Sequence, residues 1–430
     1  MAAGLLVFAS ASVVPAPSAG QDAAREIERR TQEVLPRVVS WRRDLHEHPE
    51  LGNRETRTAA IVAEHLRKLG MEVKTGVAHT GVVGILRGGK PGKVVALRAD
   101  MDALPVTEEV DLPFASKVRT TWNGQDVGVM HACGHDNHVS ILMGVAEVLA
   151  GMKDQIPGTV KFLFQPAEEG APEGEEGGAE LMIKQGAFEA PRPDAVFGLH
   201  VFPFPVGTIA YKTGGAMASG DTLNIVVHGT QTHGAMPWRG VDPIVVASQV
   251  VLGLQTIASR QLDVTLAPSI ITLGSIHGGV RSNIIPDKVE LVGTIRTFDE
   301  GHRAEIHRRV QKTAESIAAA SGARAEVTIT KGYPVTVNDP ALTERMLATL
   351  KRVAGPDKVV AVPPTTTSED FSYFAQQAPG LFLFLGVTPA DQDALKAAPN
   401  HSPRFFADEG ALPVGVRALS ALAMDYLTGR

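Results

Sequence analysis

The chain has 430 residues, a formal net charge of −6, 44% hydrophobic and 20% charged residues, and 5% aromatics. Its length exceeds what one hydrophobic core usually supports, so two domains are expected, and the composition is that of a globular protein. The acidic balance, the lack of a sustained Lys/Arg stripe and the few aromatics exclude a nucleic-acid surface, and no apolar run beyond the N-terminus reaches membrane-spanning length.

Leu5 to Val14 is apolar and small, and Pro15-Ala16-Pro17-Ser18-Ala19-Gly20 precedes the charged stretch that begins at Gln21. Residues 1–20 therefore resemble a secretory signal with its cleavage site, which would place the protein in the periplasm or outside the cell. Read as an apolar tail, the same stretch leaves it cytoplasmic. Apolar spacing predicts amphipathic helices over Asp22–Trp41 and Glu55–Leu69. Val82–Leu86 and Val94–Leu97 read as strands, the second running into Arg98-Ala99-Asp100-Met101-Asp102. A helix that begins inside the cluster Met130–His138 is expected over Val139–Leu149, and buried strands over Val160–Phe164 and Ala195–Leu199. Such alternation predicts an α/β fold with a mixed sheet flanked by helices, in which ligands gather at the carboxyl ends of strands. Asp100, Asp102, Glu168, Glu169 and His200 are all expected just beyond strand ends.

Near Gly214-Gly215 the pattern changes to strand Thr222–Val227, helix Val241–Ile257, strands Ser269–Ile276 and Lys288–Thr297, helix Gly301–Ala320 and strand Ala325–Thr330. This βαββαβ order predicts an inserted ferredoxin-like unit over residues 216–330. Helix Pro340–Val353, strand Leu381–Leu385 and helix Ala411–Leu427 then complete a discontinuous first domain, residues 21–215 and 331–430.

The only cysteine, Cys133, lies in Met130-His131-Ala132-Cys133-Gly134-His135-Asp136-Asn137-His138. A single thiol forms no internal disulfide, so packing, reactivity or coordination must explain it. Thiolate beside imidazole suits zinc or a similar first-row ion, but two ligands do not close a site. Glu168-Glu169 follows an apolar strand, where one carboxylate could bind a cation while the other handles protons. A solvated acidic loop accounts for the pair as well, since Glu173, Glu175 and Glu176 follow. His200 follows an apolar run, where a histidine is often a core residue bonded to backbone. His401 sits in a loop with a proline on either side and has no packing rationale. With Cys133, His135 and Glu169 these supply five ligands, enough for two adjacent metals. In the insert, His233 lies in a Gly/Pro-punctuated loop. Arg281 and Asn283 follow Gly278-Gly279, and Arg296 is near a strand end; each could meet a substrate carboxylate or be an ordinary surface residue.

His46-Glu47-His48-Pro49-Glu50-Leu51, Arg98–Pro105, Met130–His138, Gln165–Gly170, Gly198-Leu199-His200, His233–Pro237, Ser282–Pro286 and Ser368-Glu369-Asp370-Phe371 occur in an order that resembles the amidohydrolases of the aminoacylase/hippurate hydrolase family. That family includes the plant auxin-conjugate hydrolases and lies among the co-catalytic zinc exopeptidases. The resemblance runs from about Glu26 to the C-terminus. It implies two divalent metal ions per subunit (zinc, manganese, cobalt or nickel), held by Cys133, His135, Glu169, His200 and His401. It makes Glu168 the general base toward a metal-bound water and then the acid toward the leaving amine. Asp102 matches an aspartate that orients a ligand. Asp100 stands where the wider clan has a histidine, which leaves its role open. His233 matches a histidine that reaches the partner subunit's site and stabilises the oxyanion, while Asn283 and Arg296 match substrate-binding positions. A satellite domain used for homodimerisation is implied as well.

The expected activity is hydrolysis of N-acyl amino acids, a small-molecule reaction with neither nucleic acid nor membrane as partner. A carboxypeptidase or dipeptidase on short peptides is the same-class rival. A non-catalytic binding or assembly homologue and a hydrolase with Cys133 as nucleophile are the others. His131, Asp136 and His138 are expected either to support the ligands or to be structural, and not to bind metal.

Overall fold

The computed structural model describes residues 19–430, and the signal-like segment lies outside the described residues except for its last two positions, which open the first helix. Helices α1 (Ala19–Glu47) and α2 (Thr56–Lys68) lead into strands β1 (Glu72–Val77), β2 (Gly81–Arg87) and β3 (Lys90–Asp100). Then come α3 (His135–Ala150), β4 (Pro157–Gln165), α4 (Gly178–Lys184), β5 (Ala195–Pro205) and β6 (Ile209–Tyr211). A second stretch holds β7 (Asp221–His228), α5 (Pro243–Thr256), β8 (Ser269–Gly278), β9 (Lys288–Thr297), α6 (Glu300–Ala320) and β10 (Arg324–Lys331). The chain closes with α7 (Pro340–Ala354), β11 (Val359–Ala361), α8 (Phe371–Ala375), β12 (Gly380–Thr388) and α9 (Leu412–Thr428).

The larger sheet has eight strands in the order β1-β2-β4-β3-β5-β12-β6-β11. Its centre, β4-β3-β5-β12, is parallel throughout. Each of these strands is buried on both faces, which explains why they read as continuous apolar runs. Leu97 and Phe162 pack on one face with α1, α2, α3 and α9, while Ala96 and Leu163 pack on the other with α4 and α8. Helix α3 is buried over nearly its whole circumference.

The second sheet, β8-β9-β7-β10, is antiparallel throughout. Along β7 Asp221, Leu223, Ile225 and Val227 are buried at every second position, the period-two pattern of a strand with one wet face; the last three are apolar. They share a core with Val246, Val250 and Leu254 of α5 and with Ile306, Val310 and Ala314 of α6. Among the described residues no helix is long and apolar enough to cross a membrane.

Two boundaries differ from expectation in ways that matter to the site. His200 is inside β5 and not beyond it, because β5 stays paired with β12 as far as Pro205 opposite Thr388, with His200 opposite Phe384. Helix α3 begins at His135, four residues earlier than its apolar pattern, because Gly134 at φ +91° turns the chain into the helix.

Candidate metal centre

Four chain segments meet at the carboxyl end of the parallel strands. The loop before α3 brings Cys133 and the first residue of α3 is His135, the turn after β4 brings Glu168 and Glu169, β5 brings His200, and a late loop brings His401. The late loop is tied in place: the His401 N–H donates to Ala132 O at 2.8 Å, and Asn400 Nδ2 donates to the carbonyls of Cys133 and Val201, each at 3.1 Å.

Cys133 Sγ lies 3.3 Å from His200 Nε2, and His401 Nε2 lies 3.0 Å from Glu169 Oε1. His135 Nε2 is fully buried and has no hydrogen-bond partner. Around it stand Asp100 Oδ2 at 3.8 Å, Glu169 Oε1 at 3.9 Å and Glu168 Oε2 at 4.0 Å. Such separations are too long for hydrogen bonds but suit donors grouped around a cation with bonds of about 2.0–2.3 Å. Ligand atoms of Cys133, His135 and His200, and separately those of Cys133, Glu169 and His401, lie within 4.8 Å of one another.

Hydrogen bonding assigns the ring protons. His200 Nδ1 lies 2.7 Å from Val201 O, which can only accept, so Nδ1 carries the proton and Nε2 offers a lone pair toward Cys133. His135 Nδ1 lies 3.2 Å from Asp102 Oδ1, which fixes the same tautomer and aims Nε2 into the cluster. The other Asp102 oxygen accepts from the Glu169 N–H at 2.9 Å, so one carboxylate orients two of the candidate ligands. An orphaned imidazole nitrogen, a thiol, imidazoles and carboxylates at one point fit a divalent first-row metal pair.

Charge is unevenly spread. Burial, reinforced by the carboxylates of Glu369, Glu169 and Asp370, pushes Glu168 well above the usual carboxyl range. Burial acts the same way on Glu169, but the hydrogen bond from His401 and the charge of His135 hold it below that range. Burial would lower His135, yet Asp100, Asp102 and Glu169 raise it to about 10.

Behind the cluster lies a buried network in which Asp136 and His138, expected as supporting residues, are joined by Arg98, Gln165, Glu369 and Asp370, to which the sequence assigns no role. Arg98 donates to Asp100 Oδ2 at 2.6 Å, Gln165 Oε1 at 2.8 Å, Glu369 Oε1 at 2.8 Å and Asp370 Oδ1 at 2.9 Å. Asp100 also binds His138 Nδ1, whose Nε2 accepts from the Val201 N–H at 2.8 Å. Asp136 pairs with Arg42 and His46, and Tyr333 Oη donates to Glu168 O at 2.6 Å. Both ring nitrogens of His131 are buried without partners. The signals for Arg98, Glu369 and Asp370 were their motif segments; Tyr333 and Asn400 carried none of their own.

A cleft of about 80 Å³ beside the cluster is lined by Glu168, Glu169, Phe202, Met217, Ser368 and His401 among others. Arg296 Nη1 reaches its rim through Ser368 Oγ at 3.0 Å. His233 and Asn283 do not line that cleft. They are exposed neighbours of each other in the second unit, with the Gly234 N–H donating to Asn283 O at 2.8 Å.

Comparison with known proteins adds a context. The family described as peptidase family M20/M25/M40 matches residues 96–425. Thermostable carboxypeptidase 1 of Saccharolobus solfataricus is 42% identical over 94% of this chain and 99% of its own length. N-acetyl-L-cysteine deacetylase of Bacillus subtilis is 38% identical over 87% of this chain and 84% of its own. A crystal structure from Bacillus subtilis, described as a dinuclear metal-binding peptidase of the M20 family, superposes with a TM-score of 0.76 at 34% identity, covering 92% of this chain and 99% of that one.

Proposed function

The chain belongs to peptidase family M20/M25/M40 and is a metal-dependent hydrolase of amide or peptide bonds; within that class we propose that it cleaves the amide of N-acyl amino acids with Glu168 as general base. The observation that carries this reading is the division between two adjacent carboxylates. Glu169 is engaged by His401 at 3.0 Å, whereas Glu168 keeps a raised proton affinity among other acids beside the same cluster. Paired carboxylates whose affinities are pushed apart are how one site holds both a ligand and a proton carrier.

Cys133, His135, Glu169, His200 and His401 would hold two divalent ions (zinc, manganese, cobalt or nickel), and Asp102 would fix His135 and the Glu169 amide. When bound, the ions supply a polarised carbonyl and water made acidic enough to attack near neutral pH. Glu168 takes the proton of the attacking water and returns it to the departing amine. His233 donates to the developing oxyanion; because it is exposed and does not line the cleft in one chain, we assign it to the site of a second subunit. Asn283 and Arg296 receive the substrate carboxylate.

We further propose that residues 216–330 form a ferredoxin-like satellite domain inserted between the catalytic segments 21–215 and 331–430. Its four strands pair only with one another in a 4-1-3-2 antiparallel order and enclose their own core. Exposed Val245, Leu252, Ile270 and Ile276 on α5 and β8 favour that domain as the homodimer contact.

A carboxypeptidase or dipeptidase is the second reading, favoured by the 42% identity to a protein named as a carboxypeptidase. An activity panel of N-acetyl, N-benzoyl and longer N-acyl amino acids beside dipeptides, with metal content measured on the same sample, separates the two. Chelation is expected to abolish turnover, with restoration by zinc, manganese or cobalt. Glu168→Gln is expected to abolish it with metal still bound. Turnover that survives thorough metal removal, or a Glu168→Gln enzyme with wild-type kcat, would overturn the mechanism.

A further inference from the structure

Glu55 stands at the N-cap position of α2 but makes no side-chain bond to the helix. Glu50 does that work: its carboxylate accepts from the Arg57 N–H at 2.9 Å and the Thr58 N–H at 2.8 Å, satisfying amides that the first turn leaves free. Glu55 is thereby released from capping and turned inward, where it is 0% exposed. One of its oxygens accepts from the Ala167 N–H at 2.9 Å and the other from Thr80 Oγ1. Burial, with Asp102 adding to it, raises the Glu55 carboxyl to about 8.

Ala167 is the residue just before Glu168, and its φ of +50° is left-handed. L-residues avoid that region because Cβ crowds the following carbonyl oxygen, and they stay there only when surroundings compel them. Two constraints act here. The Glu55 carboxyl holds the Ala167 amide, and the chain at Gly52 approaches so closely that a Cβ there would lie 3.2 Å from Ala167 Cβ and 2.9 Å from Gly170 O. Rotation about Ala167 would swing Glu168 and Glu169 together away from the cluster.

We propose that Glu55 is a positioning residue whose carboxyl clamps the Ala167 amide in its left-handed conformation and so presents Glu168 to the metal cluster. The inference rests on the reading of Glu168 as general base.

The test uses the zinc-loaded full chain and an N-acetyl amino acid substrate. It compares Glu55→Gln, Glu55→Asp, and Glu55→Asp combined with Ala167→Gly, with Glu168→Gln in parallel. Glutamine keeps both the reach and the oxygen acceptor, so kcat should stay within about threefold of wild type. Aspartate is one methylene short; kcat should fall about 10–100-fold at unchanged KM and unchanged metal content, the loss expected of a misplaced catalytic group. Glycine adopts positive φ without a clamp, so Ala167→Gly should recover at least about threefold of that loss. A Glu55→Asp enzyme with wild-type kcat, equal losses in the Gln and Asp variants, a loss confined to KM or metal content, or no recovery with glycine would each overturn the clamp. Thr80→Val removes the second bond with little change in volume and serves if Glu55→Asp does not fold: reduced kcat at constant KM supports the clamp, and wild-type kcat overturns it. A Glu168→Gln enzyme that still turns over sinks the general-base reading; a silent Glu55→Asp beside an inactive Glu168→Gln sinks the clamp alone.

Discussion

Cys133 is 6% exposed, and burial together with Glu169 and Glu168 pushes its thiol well above the usual range. Reactive cysteines sit in electropositive, partly open surroundings. This one is enclosed by carboxylates, which disfavours a cysteine nucleophile and suits a thiol that ionises only when a cation is there to accept it. Cys133→Ser preserves the packing but offers a far poorer ligand, so metal affinity should weaken by at least about tenfold. Competition with a chromogenic chelator measures this, and an unchanged constant would count against coordination. Asp102→Asn is subtler, because it leaves every candidate ligand in place. It weakens the acceptor that fixes the His135 ring and the Glu169 amide, so affinity should drop about 10–100-fold. Wild-type affinity in that variant would mean that packing alone orients His135.

At the scale of elements, α6 is locked to β7 by a buried charge cluster. Asp221 accepts from Arg303 Nε at 3.0 Å and from His307 Nε2 at 2.6 Å, and also from the Gly332 N–H at 3.1 Å. Burial opposes its ionisation, but the bonds from His307 and Arg303 hold it down to about 2. An unfolded aspartate titrates near 3.9. Since the folded value is the lower one, the contribution is complete above about pH 4 and is lost as pH falls through about 2. Asp221→Asn leaves the buried Arg303 with only Glu300, at 3.3 Å, as a charge partner and should cost about 2 kcal/mol at pH 7. The difference in urea midpoint between variant and wild type should narrow steadily as pH drops toward 3. A gap independent of pH would show that the aspartate acts through shape alone. Elements of this kind were legible in the sequence where one physical rule dominated. The buried run Val160–Phe164 and the alternating Leu223, Ile225 and Val227 declare themselves by period. Short strands near the sheet edge such as β6 and β11 do not, because tertiary pairing and not side-chain pattern makes them strands. The onset of α3 is legible only as lying inside the cysteine cluster, because a glycine conformation, not an apolar residue, sets the position.

Across the whole molecule, what the sequence conceals is which distant segments become neighbours. Strand β12 slots beside β5 across a separation that includes the entire second sheet, and nothing in either strand specifies the partner. The donors of the candidate centre come from positions 133, 135, 169, 200 and 401, and spacing alone could not join them; the family resemblance did. That dispersal has a thermodynamic consequence. An unfolded chain cannot hold donors so far apart around one ion, so cations bind the folded state almost exclusively and stabilise it by mass action. The gain is about 2.7 kcal/mol per site when free metal is 100 times its dissociation constant. The melting temperature should therefore climb with free zinc and fall on chelation, and the steepness of the climb should depend on which donors are intact. His200→Ala should flatten it, because the imidazole opposite Cys133 is gone. Glu168→Gln should leave it as steep as in wild type while abolishing turnover, because a proton carrier contributes to the reaction and not to metal affinity. A zinc response lost equally in both variants would place Glu168 among the ligands and move the general base elsewhere in the cleft.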